Sequence, residues 1–203
     1  MHRLSTSKHP LIFAFAIAAM FCARPVFAQH SLGKALRPDE VGIQYSGSIG
    51  YMSIGVGYNL LKEKTLLSFH YGYVPEDKGG ELHIAAVKFQ YKPFTIHISD
   101  KVIFHPVNPT VFASYTFGKQ FGLKFDRDQY AKGYYFWSPA LREHLAFSSE
   151  FKILGDKSSK IKAISLYTEA NTNDLYMISW FENRTTTPIN DIFHLGFGVK
   201  MIF

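Results

Sequence analysis

Serine, histidine and glutamate recur at even spacings in two segments, and such residues can form a nucleophile with its base. His144, Ser148 and Glu150 fall on one face of a strand, as do Ser68 and His70. A histidine can take the proton of a serine while a carboxylate orients the imidazole. However, His144 and Ser148 lie roughly 13–14 Å apart along a strand, and Ser68 and His70 about 7 Å apart. These five residues are therefore weak catalytic candidates.

Polar residues alternate with apolar ones along these strands, so their side chains would point to the face opposite the apolar rows. Those that carry charge or can gain it are His70, Lys88, Lys92, His97, Glu150, Lys152 and Lys200. We expect them to form a hydrogen-bonded and ion-paired interior, because buried polar groups need partners. The nine histidines show no metal-ligand spacing, so no metal and no cofactor is expected.

The segment 119–144 combines aromatic and cationic side chains. Its binding candidates are Tyr134, Tyr135, Trp137 and Arg142. Aromatic residues beside cations can bind lipid headgroups, sugars or proteins. The same residues can also anchor a loop at a membrane surface, which is the interpretation we favour.

The elements that carry these residues alternate with a period of two. In the last segment, 191–203, Phe193, Leu195, Phe197, Val199 and Met201 alternate with polar or small residues. Successive strand side chains point to opposite faces, so this alternation predicts a strand with one continuous apolar row. The pattern recurs along the chain and predicts an all-β fold, with eight strands near 47–60, 65–74, 82–92, 94–104, 107–118, 145–153, 161–169 and 191–203.

The composition of the two faces predicts a closed antiparallel transmembrane β-barrel. The apolar rows are strongly aromatic, whereas the opposite rows are small and polar, as in barrels that face lipid. Tyr58, Tyr73, Tyr91, Tyr115 and Tyr167 are expected near the strand ends, as interfacial girdles. A soluble barrel with the faces reversed is the alternative.

Strand count and loop length constrain the topology. With eight strands, the two longest connections, 119–144 and 170–190, are expected on the external side. The link Val74–Glu81 is expected on the periplasmic side, together with the short turns. In a competing scheme, Leu175–Phe181 replaces 94–104 as a strand. Because Leu175–Phe181 is apolar on every face, it is also compatible with a short helix capped by Asn173 or Asp174.

The first 28 residues predict a signal peptide. Arg3 and Lys8 precede the apolar run 11–21, and Val26-Phe27-Ala28 offers a cleavage site after Ala28. Cleavage would remove the only cysteine and three basic residues, lowering the net charge from +6 to +3. Residues 29–46 are expected to be a periplasmic lead-in. A charge of +3 on an exported chain does not indicate a nucleic-acid partner.

The alternating last strand that ends in Phe203 resembles the C-terminal signature of bacterial outer-membrane β-barrels. With the signal peptide and eight strands, the chain resembles the small eight-stranded members of that class in Gram-negative bacteria. The resemblance implies an outer-membrane location, and as partners outer-membrane lipid, lipopolysaccharide and the barrel-assembly machinery. It implies a structural or surface-interaction role, with a lipid A deacylase or a small passive pore as alternatives. In the deacylases a His precedes a Ser by two positions, whereas here Ser68 precedes His70.

Overall fold

The computed structural model describes residues 37–118, 121–122, 138–156 and 158–203. Contacts divide the chain after Arg37, and the strands all belong to the second unit, Pro38–Phe203. The predicted signal peptide, 1–28, lies outside the described residues. The strands are β1 Glu40–Ser46, β2 Met52–Leu60, β3 Thr65–Val74, β4 Leu82–Tyr91, β5 Ile96–Ser99, β6 Val102–Phe117, β7 Leu141–Leu154, β8 Ala163–Asn173 and β9 His194–Ile202.

These strands form a closed antiparallel barrel of eight strands with one extra strand. β1 pairs with both β2 and β9, and β4 pairs with β6, so that the sheet closes without β5. β5 pairs only with the beginning of β6. The predicted all-β closed antiparallel barrel is therefore confirmed.

Several of the expected boundaries differ from the structure, two of them in the kind of element. Residues 40–46, which were assigned to the lead-in, form β1, so the barrel begins before residue 47. The predicted strand 94–104 is replaced by the short β5 and the start of β6, because the chain turns at Asp100 and Lys101 and β5 folds back antiparallel onto β6. Val41, Ile43 and Tyr45 do alternate with polar or small residues, but only over seven positions.

The helical interpretation of the segment after β8 is correct. Asp174–Glu182 forms helix α1, and the Asn173 side chain accepts a hydrogen bond from the backbone N–H of Tyr176. The strand proposed for Leu175–Phe181 is therefore wrong. Within the described residues, two short 3₁₀ helices, Glu76–Lys78 and Ile189–Ile192, complete the set of elements. In the described part of the chain, no helix has the length and apolarity to span a membrane.

Because the observed strands differ from the predicted ones, one connection lies at a different end of the barrel than expected. Both ends of the described barrel, Glu40 and Ile202, lie with the turns after β2 and β7; we call this the termini end. The connections after β1, β3, β6 and β8 leave from the opposite end, which we call the loop end. The link Val74–Glu81 thus lies at the end of the two longest connections, because β1 shifts the strands from β2 to β4 by one; the absence of 94–104 as a barrel strand restores the predicted count from β6 onward.

Apolar side chains face outward and charged side chains face inward. Phe69, Phe147 and Phe197 are 45, 53 and 52% exposed, whereas Lys88 and Glu150 are 4 and 0% exposed. The faces are therefore not reversed, as they would be in a soluble barrel. Tyr167 is an exception to the predicted aromatic girdle: it lies in the lumen and is buried.

Glycines on the lumen side provide room for the large inward side chains. A Cβ atom at Gly198 would overlap the ring of Tyr167, and one at Gly55 would overlap the ring of His70. Toward the loop end, the β1–β2 turn inserts Ile49 into the lumen, where it packs with Ile84 and Phe112. The interior is therefore filled by side chains, as expected for a barrel of eight strands.

The close approach at Gly198 predicts a specific packing defect. The substitution Gly198→Ala should destabilise the barrel by about 1–3 kcal/mol, because the added methyl group would overlap the buried ring of Tyr167 and force it to move. The destabilisation can be measured as a fall in the temperature at which the band of the folded protein disappears in SDS gel electrophoresis. In a Tyr167→Ala background the same substitution should cost almost nothing. An equal loss in both backgrounds would refute this packing.

Candidate functional site

The centre of the lumen near the termini end is an ion-pair network around Glu150. Its carboxylate lies 3.3 Å from Lys200 Nζ and 3.4 Å from Lys92 Nζ. Lys200 Nζ also lies 3.3 Å from Glu40 Oε1 and 4.9 Å from the centre of the Tyr167 ring. Strands β1, β7 and β9 and the residue after β4 thus meet through these charges.

A second pair joins opposite parts of the barrel wall. Lys88 Nζ donates to both carboxylate oxygens of Glu169, at 2.7 and 2.8 Å, and to Gln44 Oε1 at 3.2 Å. The hydroxyl of Tyr167 donates to the same Gln44 oxygen at 3.0 Å. The two partners of the ion pair are 81 residues apart in sequence.

The buried lysines and glutamates balance one another. Lys88, Lys92 and Lys200 are at most 7% exposed, and so are Glu40, Glu150 and Glu169. Each charge has an opposite charge within ion-pair distance. Such pairing offsets the large cost of removing ions from water, although it need not add net stability.

The sequence pattern does not predict several members of this network. Glu40 and Gln44 lie in the predicted lead-in 29–46, and Glu169, at the end of the predicted strand 161–169, is not among the predicted interior residues. In the structure Ser165, Tyr167 and Glu169 point inward. The alternation of Glu40, Gly42 and Gln44 with apolar residues was the pattern that could have revealed β1.

The Ser68–His70 pair does form, but inside the lumen. Ser68 Oγ lies 3.0 Å from His70 Nε2. The adjoining cavity has a volume of only about 20 Å³ and is also lined by Lys88 and Glu169. That volume corresponds to about one water molecule, so an acyl substrate has no room beside the serine.

The other three catalytic candidates are not brought together. His144 Nε2 instead contacts Ser114 Oγ at 2.8 Å, and its ring stacks on Phe112. Ser148 Oγ accepts a hydrogen bond from Gln90 Nε2 at 2.8 Å, and Glu150 pairs with the lysines. The hydrogen bond of His144 thus goes to Ser114, and His144 does not join Ser148 and Glu150 into a triad.

The remaining candidates lie in different places. His97 is exposed on β5 and is therefore outside the lumen. Lys152 lies at the termini end, 3.2 Å from the exposed Glu63. Arg142 is part of β7, with Nη1 3.6 Å from Asp174 Oδ2, whereas Tyr134, Tyr135 and Trp137 lie outside the described residues. Among the described residues, no cluster of histidine and carboxylate side chains could hold a metal ion.

Removing the central carboxylate should destabilise the barrel strongly. Glu150→Gln leaves two buried lysines short of a partner, so we expect a loss of about 3–5 kcal/mol in unfolding free energy. The matched control is Glu63→Gln, since Glu63 is 69% exposed and its pair should be worth less than about 1 kcal/mol. Urea unfolding of the purified, folded protein and its variants provides both values. Equal losses would contradict the central role of Glu150.

Comparison with known proteins yields no relative. The chain matches no family model, no curated protein and no solved structure. Functional interpretation therefore rests on the barrel itself: its closed strands, its charged interior and its apolar outer wall.

Proposed function

We propose that the protein is an integral outer-membrane β-barrel with a structural or surface-interaction role and no catalytic site in its lumen. The observation that carries this proposal is the inverted distribution of side chains. Large apolar residues on every barrel strand are exposed, while the lysines and glutamates of the lumen are buried. In water, both the exposure of large apolar side chains and the burial of charged ones would be unfavourable.

The outer wall supports insertion into lipid. Exposed apolar side chains occur on all eight barrel strands, for example Ile43, Ile54, Phe89, Val111 and Leu166. Soluble monomers rarely expose contiguous apolar patches of more than a few hundred Å². Barrel closure satisfies the backbone hydrogen bonds internally, which is the condition for a sheet to cross a membrane.

The predicted N-terminal and C-terminal features support export and assembly. A cleavable signal peptide over residues 1–28 would direct the chain out of the cytoplasm. Strand β9 displays the alternating apolar row that precedes Phe203 and pairs with both β1 and β8, so it closes the barrel. The barrel-assembly machinery is therefore the proposed partner of this strand.

The filled lumen favours a structural role over a pore. Ile49, Phe112 and the Lys–Glu pairs occupy the interior, and the cavity beside Lys88 has a volume of about 20 Å³. Side chains can just fill a barrel of eight strands, whereas wide aqueous channels occur in barrels of sixteen strands or more. The sites open to partners are then the outer wall and the loop end.

Membrane insertion can be tested by fractionation and electrophoresis. We expect the protein in the outer-membrane fraction, and we expect unboiled protein to migrate differently from boiled protein in SDS. The reason is that closed strand pairing keeps the barrel folded in detergent until it is heated. A soluble-fraction protein whose band does not change on boiling would refute the proposal.

The Ser68–His70 contact makes lipid A deacylation the second candidate, because this pair has the chemistry of an activated serine. Its enclosure predicts inactivity: the purified protein should leave the mass of lipid A unchanged, as should Ser68→Ala. The measurement is the mass spectrum of lipid A before and after incubation. Loss of an acyl chain with the unsubstituted protein, but not with Ser68→Ala or His70→Ala, would establish the enzyme instead.

A further inference from the structure

Helix α1 and the outer wall enclose an apolar groove near the loop end. Its volume is about 780 Å³, within the range of ligand-binding clefts. We call it the α1 groove. Its lining includes Val87, Val111, Ala113, Leu145, Met177 and Ile178, which belong to β4, β6, β7 and α1.

Local interactions hold α1 beside this part of the wall. Asn173 caps the helix, and the next residue, Asp174, lies 3.6 Å from the Arg142 guanidinium on β7. Ala113 contributes only a methyl group between the longer side chains of Val111 and Tyr115, which share its face. The groove is therefore built from a small residue in the wall and an apolar helix beside it.

Two carboxylates, those of Glu143 and Asp174, line this apolar groove, and Asp174 is already paired with Arg142. Glu143 points outward on β7, because it shares the face of the exposed Leu141 and Leu145, while Arg142 and His144 point inward. It lines the α1 groove and pairs across the sheet with Ala113. Among the described residues, Glu143 has no hydrogen-bond or ion-pair partner.

A charged group on a lipid-facing wall is costly unless a counter-charge reaches it. The lumen lysines cannot do so, because they lie on the other side of the sheet. A primary ammonium group carries positive charge and three N–H donors, and can form short charge-assisted hydrogen bonds with a carboxylate. A lipid that bears such a group would supply the counter-charge from the membrane itself.

We propose that the α1 groove binds an acyl chain of a phospholipid with a primary-amine headgroup, a phosphatidylethanolamine, whose ammonium pairs with Glu143. The proposal rests on the proposed membrane insertion. A lipid is the appropriate occupant because the groove opens on the apolar outer wall and is continuous with it. An anionic phospholipid would meet a like charge, and a trimethylated amine would lack the N–H donors.

The test is a native mass-spectrometric titration of the full chain, folded in detergent, with palmitoyl-oleoyl phosphatidylethanolamine, -choline or -glycerol. We expect the unsubstituted protein to bind the ethanolamine lipid about tenfold more tightly than the other two, as one charge-assisted hydrogen bond can provide. Glu143→Gln should abolish this preference. Glu182→Gln should retain it, since Glu182 is an exposed carboxylate outside the groove.

A second variant tests the groove separately from the charge. Ala113→Leu should weaken the binding of all three lipids, because its side chain fills the space for the acyl chain. Equal binding of the three lipids by the unsubstituted protein, or an unchanged preference in Glu143→Gln, would overturn the proposal. If each variant keeps its heat-dependent gel shift, such a result refutes the lipid site alone. Loss of the shift in the unsubstituted protein would refute insertion as well.

Discussion

The buried carboxylate of Glu150 is the interaction on which the interior depends. An eight-stranded barrel has too little space for bulk water, so each ionised side chain inside it must find its partner among other side chains. Glu150 is fully buried and accepts from Lys92 on one side and Lys200 on the other. Lys200 extends the network to Glu40 on β1. A single acidic residue therefore links the two strands that close the barrel, β1 and β9, to β7.

Close packing across the lumen is possible because glycines and large residues face one another. Gly42, Gly55, Gly57, Gly196 and Gly198 lie on β1, β2 and β9, and an added Cβ atom at each would crowd an inward side chain. The large partners of Gly55 and Gly198 are His70 on β3 and Tyr167 on β8, whereas those of Gly42, Gly57 and Gly196 are Lys200, Glu40 and Gln44 on the glycine-bearing strands β9 and β1. Bare backbone and long side chains thus fit together between neighbouring strands of the lumen wall. This complementarity leaves room for little more than one water molecule beside Ser68.

Sequence periodicity predicted most of the strands but not the ion pairs between side chains of different strands. Alternation over nine or more residues identified β2, β3, β4 and β9, whereas seven residues with a glutamate at the start were not sufficient for β1. The helix α1 was one of several options, because an apolar segment without alternation fits more than one element. The Lys88–Glu169 pair could not be predicted, since its 81-residue separation is bridged only after closure sets the register. Facing could be predicted where polar and apolar residues alternate cleanly, as in β3 and β9, but not in β8, where the inward row includes the large aromatic Tyr167.

The position of the carboxylates indicates where a specific interaction can occur. Glu40, Glu150 and Glu169 lie inside and are each matched to a lysine, so their charges are satisfied by the fold itself. Glu143 lies on the other side of the same wall, one residue from the buried His144, and has no such match within the described residues. The buried glutamates of the lumen are thus neutralised by lysines of the fold itself, whereas Glu143, beside an apolar helix on the outer face, is not. If the barrel is inserted in lipid as proposed, a cationic lipid headgroup is the group that can supply the counter-charge on this face.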